Sequence, residues 1–394
     1  MRTSVGRARR GGKGVAGGPG GPMRERKKMT KTTKNPRGCG YRRLWTVRGR
    51  IGGLQSRVMG ARVSEVAAVA VLLVCVSCAT PVREDDAAGR AAGRSPEVVS
   101  LLGRPLYSPA PGEKPALEAQ LDAARAEAAK RPDDPELQIW VARRLGYLWR
   151  FNEAIDEYSR ALGRRGPAPG GRAHPDCAPL LRHRGHRYIS IRRFDAAIAD
   201  LERAAELTRD SPDAIEPDGQ PNARNIPLTT LKFNIGYHLA LARYLSGDFD
   251  AAMEAWRQTS LFAQRYDDNR VATAYWRWLS LMRLNRRDEA TAELRAISTD
   301  MDIIENHAYH RLLLLYKGER SEEQTMADVA ETSADFAAIG YGVGMRRLLL
   351  GDAEGAKRWF ERVVATEHWP AFGFIAAEVE LKRMGPLGNP PTTQ

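Results

Sequence analysis

The sequence has few cysteines, no long apolar run and none of the common catalytic motifs. Its four cysteines among 394 residues form no even set in the part expected to fold, so no disulfide framework is indicated. The longest apolar run, Val66–Val76, is too short to cross a bilayer as a helix. A Gly-rich phosphate loop, a G-x-S-x-G elbow and an H-E-x-x-H motif are all missing. We therefore expect neither an enzyme nor a cofactor.

The formal charge of +13 is unevenly distributed along the chain. Residues 1–58 contain 17 Lys and Arg but a single acid, Glu25, so the rest of the chain is slightly acidic, at −3. This basic, Gly-rich leader has too little apolar surface to fold. It is either a nucleic-acid-binding tail or an upstream extension of a chain that starts at Met59, and the export signal that follows favours the extension. For the folded part, no nucleic-acid partner is indicated.

Residues 59–77 have the organisation of a secretory signal peptide. One cation, Arg62, precedes the apolar run, and small residues follow it. The end of the run resembles the lipobox of bacterial lipoproteins, with Ser77 directly before Cys78, which implies a lipid attached to Cys78. In that family a residue other than Asp after the cysteine, here Ala79, implies the outer membrane, facing the periplasm. The alternative is ordinary cleavage near Ala79, which would leave a soluble periplasmic protein.

Residues 78–112 are rich in Ala, Gly, Arg and Pro and have no sustained helical periodicity, which predicts a flexible tether. Order is expected from residue 113 to residue 384, and residues 385–394 form a predicted loose tail. Leu117, Leu121 and Ala124 lie on one face of a first helix. Asp134 then offers an N-cap with a proline directly after it.

A motif of a small residue, a large residue and a third apolar or small residue, spaced four and three apart, recurs along the folded part. Five copies are present: Ala154/Tyr158/Ala161, Ala197/Leu201/Ala204, Ala252/Trp256/Thr259, Ala290/Leu294/Ile297 and Ala356/Phe360/Val363. A small residue lets the two helices of a hairpin approach closely, and the large residue fills the hollow between them. The long gap before the fifth copy leaves room for a degenerate hairpin that begins near Asn306.

These copies resemble tetratricopeptide (TPR) repeats over roughly Pro115–Met384. The resemblance implies an all-α fold, a TPR-like superhelix of helical hairpins (an α-solenoid). In such arrays the first helix of each hairpin lines a concave face that binds a protein or peptide. With the register set by the motif, six residues would lie in that groove: Arg143, Arg182, His186, Asn234, Tyr237 and Tyr275. The leading interpretation is a membrane-anchored scaffold or adaptor in the bacterial cell envelope; the oligomeric state stays open.

The loop at residues 208–228 is the one unusual insertion. Its Glu-Pro-Asp-Gly and Pro-Asn stretches, followed by Asn-x-x-Tyr-His-Leu, resemble an uncharacterised set of bacterial TPR proteins. An alternative function is therefore binding of a small ligand or glycan by this loop, through Glu216, Asp218, Asn222 and Asn225. Acidic loop residues, or the pairs His183/His186 and His307/His310, could hold a metal. Structural roles are favoured for both, and no metal site is predicted.

Overall fold

The structure is a computed structural model that describes residues 93–165 and 177–385. The predicted leader, the signal peptide at 59–77 and the lipidation site Cys78 lie outside the described residues. The predicted tail lies outside them too, apart from Gly385.

Fourteen α-helices and one β-hairpin make up the described residues, so the fold is all-α, as the sequence predicts. The hairpin pairs β1 (Val98–Val99) with β2 (Pro105–Leu106) in antiparallel fashion. No helix in this part of the chain is long and apolar enough to span a membrane. The helices are α1 (Pro115–Lys130), α2 (Pro135–Tyr147), α3 (Phe151–Arg165), α4 (Cys177–Ser190), α5 (Phe194–Thr208), α6 (Leu231–Ser246), α7 (Phe249–Ser260), α8 (Asp267–Arg283), α9 (Arg287–Leu294), α10 (His307–Lys317), α11 (Glu322–Met326), α12 (Ala334–Leu349), α13 (Ala353–Val364) and α14 (Phe372–Met384).

Helices α2 to α13 form six consecutive hairpins, and consecutive helices pack on one another along the described array. All three positions of the repeated motif are buried in all five copies. Glycines on the first helices allow this packing. A Cβ on Gly185 would lie 2.7 Å from Cγ of Leu201, and one on Gly236 would lie 2.4 Å from Oγ1 of Thr259. The predicted helical-hairpin solenoid is confirmed, and the degenerate hairpin is α10 with α11.

Each of these six hairpins uses the same cap at the end of its first helix. A residue with positive φ ends the helix, and the amide after it donates to a carbonyl five residues back, as in a Schellman motif. In two turns that residue is Trp149 (φ 58°) or Arg192 (φ 62°), which costs free energy because a Cβ crowds the backbone there. The other four turns use the residue types that tolerate this conformation: Gly247, Asn285, Gly318 and Gly351.

The β-hairpin corrects the prediction of a flexible tether for the described part of residues 78–112. Arg104 Nη1 donates to the carbonyl of Val364 at 2.8 Å, and Trp369 Nε1 donates to the carbonyl of Tyr107 at 3.0 Å. Leu106 is buried in the main core. This segment has few apolar residues, but the β-hairpin pairs those that are present. The β-hairpin thereby ties the start of the described chain to the last helical hairpin of the array.

The last helix, α14, covers the face that α4 and α6 turn inward. Its Phe372 ring lies 5.4 Å from the ring of His186 and 6.4 Å from that of Tyr237. A Cβ on Gly373 would lie 2.1 Å from the carbonyl oxygen of Ala337, so α14 packs directly on the backbone of α12. The surface expected to be an open concave groove is therefore occupied by the chain itself.

Candidate binding site

The loop between α5 and α6, residues 209–230, is docked on α2. Arg143 Nη1 donates to the carbonyl of Pro217 at 2.9 Å, and Arg144 Nη1 donates to that of Gly219 at 3.2 Å. A Cβ at Gly219 would lie 1.8 Å from Oη of Tyr147. Any larger residue there would displace the ends of the Tyr147 and Arg143 side chains, so the glycine of the Glu-Pro-Asp-Gly stretch lets the loop backbone lie against the helix.

A buried ion pair lies beneath this loop. Arg182 Nη2 is 3.0 Å from Oε1 of Glu216, and both side chains are 9% exposed. The other carboxylate oxygen accepts a hydrogen bond from Asn234 Nδ2 at 2.9 Å. His183 bridges the pair, with Nδ1 2.8 Å from Arg182 Nη1 and Nε2 3.2 Å from Glu216 Oε1. A neutral ring protonated at Nε2 satisfies both contacts, because Nδ1 then accepts and Nε2 donates.

Three histidines of this region are uncharged at neutral pH. Burial holds the pKa of His183, His186 and His238 well below the usual value, and nearby guanidinium groups lower it further. Arg182 acts on His183 and His238, while Arg187 acts first on His186. The charge of the site therefore comes from its arginines and from Glu216.

Beside the ion pair is a cavity of about 140 Å³, here called the arginine cavity. Three of its lining residues are cationic, and Arg143 and Tyr147 are part-exposed. Burial lowers the pKa of Arg187 to about 10, which still leaves the group charged at pH 7. The cavity is lined by Arg143, Tyr147, Tyr158, Arg182, His183, His186, Arg187 and Glu216.

An apolar pocket of about 280 Å³ opens next to the arginine cavity and shares Arg143, His183 and Glu216 with it. The guanidinium of Arg143 lies 4.4 Å from the ring centre of Trp140, which fixes the ring as one wall. Ile215 forms part of the loop side and is 52% exposed. This apolar pocket is thus a preformed recess between α2, α4 and the loop.

Three of the six residues predicted to line a groove meet at the arginine cavity: Arg143, Arg182 and His186. Asn234 supports the cavity from behind through Glu216. The sequence therefore predicted three residues that do lie together, but it placed them in an open groove instead of a covered cavity.

The prediction of an exposed groove is wrong for Arg182, Asn234, Tyr237 and Tyr275, all of which are buried. The hydroxyl of Tyr237 accepts a hydrogen bond from Trp276 Nε1 at 2.9 Å. Tyr275 is fully buried in an aromatic cluster. The physical reason is that the loop covers Arg182 and Asn234, while α14 and the neighbouring helices cover the two tyrosines.

The four loop residues proposed for ligand binding mainly shape the loop. Glu216 is held in the ion pair, and Oδ1 of Asp218 lies within reach of the amide two residues later. Oδ1 of Asn222 accepts from the amide of Ile226 at 3.2 Å, and Asn225 takes the left-handed conformation at φ 52°.

Neither histidine pair forms part of a metal cluster in the described chain, where no group of three potential ligands was found. His183 and His186 are hydrogen-bonded to arginines. His310 Nε2 is 2.8 Å from the carbonyl of Ser298, and His307 is exposed.

The sequence prediction missed several residues of the site, among them Tyr158, Arg187, Trp140 and Ile215. Tyr158 occupies the large position of the repeated motif and was therefore assigned to packing alone. A signal for Arg187 was present, since Arg-His-Arg-Gly-His-Arg at 182–187 places several cationic or titratable groups on one mostly buried helix. Such a density of polar groups is unusual for a core helix.

No protein-family model and no curated protein sequence matches the chain. Among solved structures, it is similar to YrrB, "a TPR protein with an unusual peptide-binding site", at 12% identity over 66% of this chain and 98% of that one, with a TM-score of 0.34. It is also similar to BtubC (BKLC) from P. vanneervenii, at 16% identity over 71% and 94%, with a TM-score of 0.36.

A chain of the Naa15/Naa10 complex bound to HypK-THB is a third similar structure, at 16% identity over 64% of this chain and 35% of that one, with a TM-score of 0.29. At TM-scores this low, the likenesses say nothing about the function of this protein. The solenoid architecture follows from the helix packing described above.

Proposed function

We propose that the protein is a lipid-anchored scaffold of the bacterial cell envelope that binds a partner protein, and that it is not an enzyme. The observation that carries the binding role is the apolar pocket between α2, α4 and the 209–230 loop. It is preformed, and its wall includes an apolar side chain that is half exposed, whereas the inner face of the array is filled by α14. The partner contributes an apolar side chain that enters between Trp140 and Ile215.

The lining of the apolar pocket supports this kind of occupant. Exposed large apolar side chains are few in the described residues, and one of them, Ile215, stands at the pocket rim. Arg143 stacks on Trp140 and also holds Pro217, so the recess keeps its shape without a partner. A preorganised aromatic wall lowers the entropy cost of binding, and aromatic and Arg side chains dominate interface energetics.

Ile215→Asp is expected to weaken partner binding at least tenfold. Burying an isoleucine side chain contributes about 1.5–3 kcal/mol, and each 1.4 kcal/mol is a factor of ten in affinity. The measurement is cross-linking in intact cells, followed by quantification of co-purified proteins from wild type and variant.

Leu261→Asp is the matched control, since Leu261 is 66% exposed and lies outside the apolar pocket. Circular dichroism checks that both variants stay helical. Equal partner recovery from wild type and Ile215→Asp would place the binding surface elsewhere.

Anchoring by acyl chains on Cys78 explains the arrangement of signal, Ser77 and cysteine before the folded array. Two or more acyl chains give stable anchoring because each buried methylene contributes about 0.8 kcal/mol. The folded array would then face the periplasm from the membrane, with the outer membrane as the proposed location.

Cys78→Ser is expected to move the protein from the membrane fraction to the soluble fraction, because the serine cannot carry the thioether-linked lipid. Cell fractionation with immunodetection measures this. Cys75→Ser, three residues earlier, is the control and should stay in membranes. A wild-type protein found wholly in the soluble fraction would favour ordinary cleavage near Ala79.

A further inference from the structure

The arginine cavity has more positive charge than its own residues neutralise. Arg182 is paired with Glu216, which is also bound by His183 and Asn234. Within residues 93–165 and 177–385, neither Arg143 nor Arg187 forms a salt bridge with a carboxylate. Arg187 instead donates to Nδ1 of a neutral histidine, and Arg143 to a backbone carbonyl. Two guanidinium charges of this cavity are therefore left without an anionic partner in the described chain.

A buried hydrogen-bond donor of the cavity is also left over. Nε of Arg182 is buried and has no hydrogen-bond partner in the described part of the chain. Tyr158 is 1% exposed and lines the same cavity. The hydroxyl of Tyr158 lies within electrostatic range of all three guanidinium groups, which oppose the rise of its pKa caused by burial. Buried polar groups normally find a partner, so an unused donor beside two guanidinium groups that have no carboxylate partner indicates a ligand.

We propose that the arginine cavity binds one small oxyanion, a carboxylate or a phosphate group, held by Arg143, Arg187 and the hydroxyl of Tyr158. Guanidinium groups match the geometry of both anions and form charge-assisted hydrogen bonds with them. A volume of about 140 Å³ admits a single small group, well below the roughly 300–1,000 Å³ of a site for a drug-sized molecule. The neutral imidazoles of His183 and His186 line the cavity without adding charge.

This oxyanion site is distinct from the proposed partner pocket, although the two cavities share Arg143, His183 and Glu216. A free anion can enter whether or not an apolar side chain lies between Trp140 and Ile215. The anion can also belong to the partner, for example as a carboxylate beside its apolar side chain. Probes that are small and free therefore test the arginine cavity alone.

The test measures thermal denaturation of the full-length protein in sodium phosphate and, separately, in sodium acetate, with sodium chloride keeping the ionic strength constant. Wild type should show a saturable rise in its denaturation midpoint with at least one of the two anions. Arg187→Met should weaken the apparent affinity at least tenfold, because a hydrogen bond to a charged group is lost. Tyr158→Phe, which removes one oxygen atom and keeps the packing, should weaken it in the same direction.

Arg193→Met is the matched control, since this exposed arginine lies just beyond α4 and outside the arginine cavity. It should bind the anion as wild type does. If the protein binds the anion but no partner protein is found, the result supports the oxyanion site and not the partner pocket. The proposal is overturned if neither anion stabilises wild type, or if the stabilisation is the same in wild type, Arg187→Met and Tyr158→Phe.

Discussion

Arg192→Met is expected to lower the free energy of unfolding by about 3–5 kcal/mol, the usual cost of removing one partner from a buried ion pair. Nε of Arg192 lies 2.8 Å from Oε2 of Glu378, and the two side chains are 2% and 1% exposed. Nη2 donates to the carbonyl of Trp369 at 2.9 Å. One side chain thus joins the α4–α5 turn to α14, which covers the inner face.

The loss is large because Glu378 would stay buried without its counter-charge. Burial already raises the pKa of Glu378, and Arg192 is the largest influence that lowers it. Without the guanidinium, the carboxyl must either stay charged in an apolar place or take up a proton, and both cost free energy. Arg192 also holds a strained backbone at φ 62°, which its contacts across the inner face compensate.

Chemical denaturation of the purified protein measures the effect, with two comparisons. The double variant Arg192→Met/Glu378→Met should recover most of the loss, since apolar replacements of a buried ion pair are often neutral. Arg203→Met removes a part-exposed arginine paired with Glu206, and should cost no more than about 1 kcal/mol. A double variant as unstable as the sum of its single variants would show that the pair itself is not the cause.

The repeat architecture was predictable because the motif reports local packing. Ala197, Leu201 and Ala204 recur at helical spacing, and each position is fully buried. The contacts that the motif predicts are made within one helical hairpin or between it and its neighbour. The closure of the array by α14 was not predictable, because it depends on contacts such as Arg192 with Glu378, 186 residues apart, between residues that carry no repeating pattern.

The site was predicted in part for the same reason. Placing Arg143, Arg182 and His186 on the first helices of hairpins was right, since helical register follows from the motif. Whether those side chains face solvent depends on the loop, whose Gly219 lies against Tyr147. No period or spacing in the sequence shows where an insertion folds, so an open groove was expected where a covered cavity exists.

Acidification is expected to destabilise the protein by about 4 kcal/mol between pH 7.5 and pH 5.5 through His183, His186 and His238. Burial and neighbouring arginines hold the pKa of each ring well below its ordinary value in the folded state. In the unfolded chain each titrates near the reference value of about 6.5. Below that pH the unfolded state binds more protons than the folded state, so stability falls as pH falls.

The magnitude follows from proton linkage. A histidine that stays neutral when folded contributes a slope of about 1.4 kcal/mol per pH unit once the pH is below its unfolded pKa. Three such rings give about 4 kcal/mol over the range, if all remain neutral in the folded protein at pH 5.5. Buried carboxyls with a raised pKa, such as Glu378, act in the opposite direction, because they take up protons first in the folded state.

Comparing variants separates the contribution of the histidines to this pH dependence from that of the carboxyls, because wild type and variants have the same carboxyls. The free energy of unfolding of wild type, His183→Gln and the control His307→Gln is measured by denaturation at pH 7.5 and pH 5.5. His183→Gln should lose about 1.4 kcal/mol of the pH-dependent change, because one proton-linked group is gone. His307 is exposed, so its variant should keep the full change. If both variants and wild type lose the same free energy of unfolding between the two pH values, His183 does not contribute to the pH dependence of stability.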